Sequence, residues 1–251
     1  MEIPEERHSL QAGVPFAFHC HPDVSCFLTC CHKVKLHLLP YDVLRLKRRL
    51  DLPSAVFIRK YARIGEGAHP YFPGVLLNMS DAEGAPCPFL CDRGCSVYPD
   101  RPSACRTYPL ERGVERQPLT GKVVSHWWVV QHPYCQGHGE SRQQTLAQWQ
   151  REQQLREFNR YNDLWAEVNA FFATNPWGEQ ENAQELQQLA FMVCYNLDDF
   201  RGYVQEHRLL KMFKLNKAER RAITTTDEDL LCFGFKWLQH VLGNRRTLSP
   251  R

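Results

Sequence analysis

The chain has 251 residues, of which 43% are hydrophobic, and a formal charge of +3 spread evenly along its length. That is enough apolar material for a real core, which excludes a disordered chain. The even charge excludes the concentrated basic face that nucleic acid requires, and no apolar run approaches a membrane span.

The opening stretch MEIPEERHSLQAG has no basic start followed by an apolar run, so it does not read as a signal peptide. The expectation is a cytoplasmic protein with neither nucleic acid nor membrane as a partner, and with a protein partner or protein substrate left open. Pro40 to Leu50 predicts an amphipathic helix with Val43, Leu46 and Leu50 on one side. Its cations Arg45, Lys47, Arg48 and Arg49 read as a solvated face. Pro53 opens a second short helix carrying Val56, Ile58 and Tyr61. Val75–Met79 predicts a strand, and Val114–Leu119 and Val123–Val130 predict a hairpin about Thr120-Gly121.

From Leu146 onward the sequence is helical. Trp149, Leu155, Phe158, Leu164, Trp165, Val168, Phe171 and Phe172 recur at helical spacing until Asn175-Pro176. A further helix is expected over Leu186, Ala190, Val193, Leu197, Phe200 and Val204. The last runs from about Glu228 to Leu242, capped by Thr225 or Thr226, with Asp227, Glu228 and Asp229 in its first turn and Gly243 as its stop. Asp198-Asp199 and Asp227–Asp229 read as solvated helix ends or caps. The fold class is α+β and mostly helical. Cysteine density divides it into a loop-dominated, cysteine-rich domain over 1–140, with short helices and a small β-hairpin, and a helical domain over 141–251. The aromatic helices are expected to pack on the first domain and shield its centre.

The cysteines carry the chemistry. Cys20, Cys26, Cys30 and Cys31 form one group, and Cys87, Cys95 and Cys105 a second, with Cys135 beyond. In a reducing compartment, clustered thiols bind metal or catalyse more readily than they pair, and the odd total of 11 fits a disulfide framework poorly. Close-set thiols separated by a long connection present soft ligands to zinc or to an iron–sulfur cluster. Adjacent cysteines such as Cys30-Cys31 usually point different ways, so they can serve two metals, or one can ligate while the other packs. The eight thiolates can make two sites of four, or one [4Fe–4S] site with spare thiols. No C-x2-C knuckle occurs, which weakens an ordinary zinc-ribbon reading. Prolines beside Cys87 and Cys105 fix the backbone before metal binds. Arg101 and Arg106 can offset thiolate charge, and Phe89, Tyr98 and Tyr108 can exclude water.

These motifs together resemble the bacterial cysteine-cluster family described by a zinc- or iron-chelating domain. The matching pieces are Cys20, Cys26, Cys30-Cys31, Cys87-Pro-Phe-Leu, Gly94-Cys-Ser-Val-Tyr-Pro-Asp-Arg-Pro, Cys105-Arg-Thr-Tyr-Pro-Leu and Cys135. The resemblance implies metal ligation by Cys20, Cys26, Cys30, Cys31, Cys87, Cys95, Cys105 and Cys135. The cysteine pattern is also similar to that of flagellin lysine-N-methylase. That similarity implies an iron–sulfur cluster and raises methyl transfer from S-adenosylmethionine, although no Gly-rich strand-to-helix fingerprint is present. The leading expectation is a [4Fe–4S] protein working in electron transfer or cluster-dependent chemistry. A cluster-bearing methyltransferase or oxidoreductase and a zinc-stabilised interaction module are the alternatives. Arg101, Arg106 and Tyr108 are the expected cofactor-side groups. His19, His21, His32, His126, His132 and His138 read as outer or exposed groups. Cys91 is either a spare ligand or a loop thiol, and Cys194 and Cys232 read as core packing.

Overall fold

The structure is a computed structural model that describes residues 6–117, 123–178, 180–243 and 245–251. Helix occupies 47% and strand 19%, in small separate sheets, so the fold is mostly helical α+β as the sequence predicts. The chain folds as two compact units, each built from two segments: Met1–Leu36 with Asn78–Asn159, and His37–Leu77 with Arg160–Arg251. The division at residue 140 follows cysteine density, whereas compactness groups residues 37–77 with the later helices.

In the first unit, Leu110–Arg116 pairs antiparallel with Val123–Gln131, and Glu6–Ser9 adds to the other edge of the latter. The predicted hairpin is therefore present, while its Thr120-Gly121 turn lies outside the described residues. Phe16–Ala17 pairs with Gln143–Gln144, which lays the start of the cysteine-rich segment against its end. Leu10, Phe16, Phe18, Leu110, Trp127, Val129, Trp149 and Leu155 form the core, with Tyr108 and Cys135 packed against it. Phe16 and Phe18 meet Trp149 edge-on at 6.2 and 5.7 Å. The indole Nε1 of Trp149 donates to the Thr107 carbonyl at 3.0 Å, so the largest ring in this core has its polar end satisfied.

The long helix predicted from Leu146 is interrupted. Thr145 and Gln148 make a capping box for Leu146–Glu152, and a new helix runs from Leu155 to Phe172. Between them Gln154 adopts a left-handed φ of 54°, which ends the first helix while leaving the apolar spacing intact. Periodicity reports the buried face and passes over such a break. Similarly, the single helix expected over 186–204 is two, Ala183–Tyr195 and Leu197–Glu206, joined at Asn196, whose side chain caps the second.

In the second unit, Pro40–Arg49 and Ser54–Tyr61 are helical as predicted. The strand expected at Val75–Met79 lies at Phe72–Leu77 and pairs with Ala62–His69, whose glycines and alanines give little strand signal. Phe72, Phe172 and Trp177 pack at 4.6–4.8 Å, with Trp165 against Tyr195 and Phe235. The last helix, Asp227–Gly243, has the predicted cap: the Thr226 hydroxyl accepts from the Asp229 N–H at 3.1 Å.

The basic run on Pro40–Arg49 is not wholly solvated. Lys47 is buried at 7% exposure, and its ammonium donates to Asp198 at 3.1 Å and pairs with Asp227 at 3.0 Å. Arg48 pairs with Glu228 at 2.7 Å, and Arg201 with Asp227 at 2.6 Å. Asp198 also accepts from the Ser54 N–H and hydroxyl, both at 2.6 Å. Asp199 and Asp229 stay at their helix starts beside Asn196 and Thr226, as expected, while Asp198, Asp227 and Glu228 are members of one charge network. Their partners are as many as 180 residues away in sequence, beyond the reach of any local pattern. No described helix is long and apolar enough to cross a membrane.

Candidate metal centre

The thiol-bearing segments of the first unit are tied together by their backbones. The Cys87 N–H donates to the Cys31 carbonyl at 2.7 Å, and Lys33 N–H to Ala85 carbonyl at 2.9 Å, which stitches the first cysteine group to the second. His19 N–H donates to the Gly137 carbonyl at 2.9 Å, and Gln136 N–H to the Cys26 sulfur at 3.1 Å, which stitches the first group to the Cys135 segment. Locally these segments are turns, as Pro and Gly punctuation predicts. They contain 3-10 turns at Thr29–Cys31, Tyr98–Asp100 and Gln136–Gly139, a minimal hairpin of Leu90–Cys91 and Gly94–Cys95, and the short helix Ser103–Thr107.

Three of the sulfurs share a local geometry. The Cys87 sulfur accepts from the N–H groups of Phe89 and Leu90, Cys95 from Val97, and Cys135 from Gly137. In each case a donor lies two residues on, where the chain turns. Peptide N–H groups aimed at sulfur favour the thiolate, the form that ligates metal. Against them, burial pushes all three thiols up. Burial also pushes Cys20 up to about 11, and Cys30, Cys135 and Cys26 push the same way. Cys30 and Cys31 hydrogen-bond each other: the shared proton holds Cys30 down to about 7 and Cys31 well up.

The electrostatic neighbours connect the eight predicted ligands. Cys20 faces Cys30, Cys135 and Cys26, and Cys26 also hydrogen-bonds Cys135. Cys31 faces Cys87 and Cys105, Cys87 faces Cys95 and also Cys30, and Arg101 lies near both Cys105 and Cys95. Cys30 thus links the two groups: it hydrogen-bonds Cys31 and faces both Cys20 and Cys87. None of the eleven cysteines forms a disulfide. Among the described residues, no three cysteine sulfurs lie within 4.8 Å of one another; the one His, Cys, Asp or Glu trio that does is His19, His21 and Glu140.

Other predicted groups fall as follows. The Arg101 guanidinium donates to the Tyr98 carbonyl at 2.6 Å and to the Gln153 side chain, and it stacks on Tyr98 at 3.8 Å. Arg106 is 2% exposed; it donates to the Gln153 carbonyl at 2.7 Å and the Pro99 carbonyl at 2.6 Å, and it lies over Phe158. The helix break at Gln153-Gln154 supplies both arginines with acceptors. The Tyr108 hydroxyl bonds the Cys135 sulfur and approaches His138 Nε2 at 3.4 Å, and burial pushes its own pKa up. Phe89 is buried as expected, whereas Tyr98 is 56% exposed, its ring covering Arg101 rather than excluding water. Cys91 donates to the Gly94 carbonyl at 3.2 Å and sits at the exposed edge of its hairpin. In the second unit Cys194 is buried, as core packing predicts, and Cys232 is half-buried. Glu140 is the group that sequence reasoning misses. The H-x-H spacing of His19 and His21 is its only signal, and no local pattern points to the carboxylate.

Residues 19–136 match a family model, CxxCxxCC, described as "Putative zinc- or iron-chelating domain". That span runs from the residue before Cys20 to the residue after Cys135, and its description supports metal binding through the cysteines. No curated protein and no solved structure matches the chain. The similarity to the methylase therefore rests on the cysteine pattern alone.

Proposed function

We propose that this protein is an iron–sulfur protein whose eight cysteines supply two four-thiolate sets, Cys20, Cys26, Cys30 and Cys135 in one and Cys31, Cys87, Cys95 and Cys105 in the other. The chemistry of the donors carries this reading: eight soft sulfurs, N–H groups aimed at three of them, and Arg101 beside Cys95 and Cys105.

A cluster with four protein thiolates is coordinatively closed, which suits electron transfer better than direct attack on a substrate. This chain's residues then act on the cluster's surroundings. Arg101 offsets thiolate charge, Tyr108 donates to Cys135, and the buried Phe89 and Phe18 limit access of water. Isolation without oxygen, followed by iron, sulfide and zinc analysis and electron paramagnetic resonance of the reduced protein, tests the proposal. Iron and sulfide in equal amounts, about eight of each per chain for two [4Fe–4S] clusters, is the expected result. Stoichiometric zinc without iron, in protein never exposed to air, overturns it.

A further inference from the structure

We propose a second kind of metal site in the first unit, free of sulfur, in which His19, His21 and Glu140 hold one divalent cation of borderline softness such as zinc, cobalt(II) or nickel(II). It does not rest on the iron–sulfur reading, because none of its ligands is a thiol. One ligand atom from each residue lies within 4.8 Å of the other two, and all three residues are half-buried. His21 Nε2 stands 3.3 Å from a Glu140 oxygen. Two ligands at about 2.0–2.1 Å from a tetrahedral ion are separated by about 3.3–3.4 Å, so this pair already has the spacing of two ligands on one ion. The His19 and His21 rings face each other with centroids 4.5 Å apart. A simple His21–Glu140 ion pair would need no second imidazole in the same small sphere.

The backbone builds this arrangement. Phe16–Ala17 pairs with Gln143–Gln144, Phe18 N–H donates to the Arg142 carbonyl at 3.1 Å, and His19 N–H to the Gly137 carbonyl at 2.9 Å. The antiparallel run carries the H-x-H pair past the turn that ends at Glu140. On the other side of His21, Nδ1 lies 3.6 Å from an oxygen of the exposed Asp23 side chain. Arg142, the nearest cation in sequence, is engaged by Glu152 at 2.7 Å. Two imidazoles and a carboxylate suit zinc and its neighbours, and three protein ligands leave a fourth position for water or an exogenous group. Such a site is open where the four-thiolate sets are closed.

The test uses the full chain with its cysteine-held metal in place, titrated with Co2+ and followed by calorimetry and difference absorption. One further equivalent is expected, with weak visible bands and no sulfur-to-cobalt charge-transfer band in the near ultraviolet. His21→Ala and Glu140→Gln should each weaken it by at least about ten-fold. His126→Ala, which removes a His–Glu pair of the same 3.3 Å separation, should leave it unchanged. Cysteine-held metal and melting temperature monitor folding in every variant, and the near-isosteric Glu140→Gln carries the test if His21→Ala misfolds. Absence of the extra equivalent, a sulfur charge-transfer band, or full affinity in both variants overturns the proposal. If the cysteines proved to hold no metal, the iron–sulfur reading would fall, while this equivalent, lacking sulfur, would still be read.

Discussion

Lys47 in the second unit is buried, the clustered thiols in the first are half-buried or exposed, and their surroundings are opposite. Around Lys47 the chain supplies its own counter-charges: Asp198 and Asp227, with Arg48, Arg201 and Glu228 completing the network. Around Cys20 the named neighbours are Cys30, Cys135 and Cys26, and around Cys31 they are Cys30, Cys87 and Cys105. Like groups push one another's pKa up, so ionising them all together is costly without an added cation. The second unit closes its electrostatics internally, whereas in the first the thiols face mainly one another, with Arg101 beside Cys95 and Cys105. A polar cluster that repels itself is thus better evidence for a ligand site than one that pairs.

The largest effects should come from the thiols. Cys105→Ser should remove the metal of its set and lower the melting temperature more than Cys194→Ala, Lys47→Met or Tyr108→Phe, because metal binding and folding are linked when ligands come from distant segments. Cys194→Ala should keep full metal content and cost about 1 kcal/mol as a small core truncation. Equal metal loss in the two cysteine variants, read by elemental analysis, would break the comparison between units.

Next is Lys47→Met, which strands Asp198 and Asp227 without their ammonium. The expected cost in denaturant unfolding is about 2 kcal/mol, below that of a wholly buried pair because the Asp198 side chain is 41% exposed. Metal content should not change. Neutralising the acids as well, by Asp198→Asn and Asp227→Asn, should recover part of the loss; failure to do so would mean that the network is not a unit.

pH should separate the units by direction. Burial alone would raise Asp198 and Asp227, but hydrogen bonds from Ser54 and Lys47 to the first, and from Lys47 and Arg201 to the second, outweigh it and leave both below the usual carboxylate value. Burial opposes the Arg48 hydrogen bond at Glu228 in the same way, and the net is again downward. Groups depressed in the folded state stabilise it above their unfolded values near about 4, and that stability is lost as pH falls through the folded values. The thiols run the other way. Cys20, raised to about 11, favours the metal-free fold below its ordinary value of 9.0 and loses that contribution as pH rises through about 11. Metal inverts this, since it binds thiolates, so the loaded protein should release metal as pH falls. Melting curves of metal-free and loaded protein between acid and alkaline pH will show whether the limbs separate.

The smallest effect tests the outer environment of the centre. Tyr108→Phe deletes the hydroxyl that bonds Cys135. Iron content should stay full, and the reduction potential should fall on the order of tens of millivolts, since a hydrogen bond to a ligating sulfur stabilises the more electron-rich cluster. An unchanged potential would detach Tyr108 from the centre.

Much of the fold was legible because its signals are local. Proline at residue 40, the apolar spacing from Leu146, and the Thr226 cap with its acidic first turn each act within a few residues, and helix forms at each, split in two after Leu146. The left-handed turn at Gln154 interrupts a helix without disturbing its apolar stripe, so the stripe could not reveal it. The Ala62–His69 strand depends on its partner more than on its own composition.

For the site, the sequence by itself determined the ligand chemistry: eight soft donors, in spacings that match a chelating family from residue 19 to residue 136. Ligand identity is a property of residue type, and close spacing lets neighbouring sulfurs converge whatever else the chain does. Only the tertiary structure decided which thiols face one another, why Lys47 is buried while Arg48 and Arg49 on the same helix reach solvent, and that Glu140 stands beside His21. These are pairings across long separations, 151 residues for Lys47 with Asp198 and 119 for His21 with Glu140. They form because other parts of the fold, the aromatic packing and the 16–19 and 137–144 strand run, bring the segments together first. The residues that meet there carry no mark of it in their own neighbourhoods.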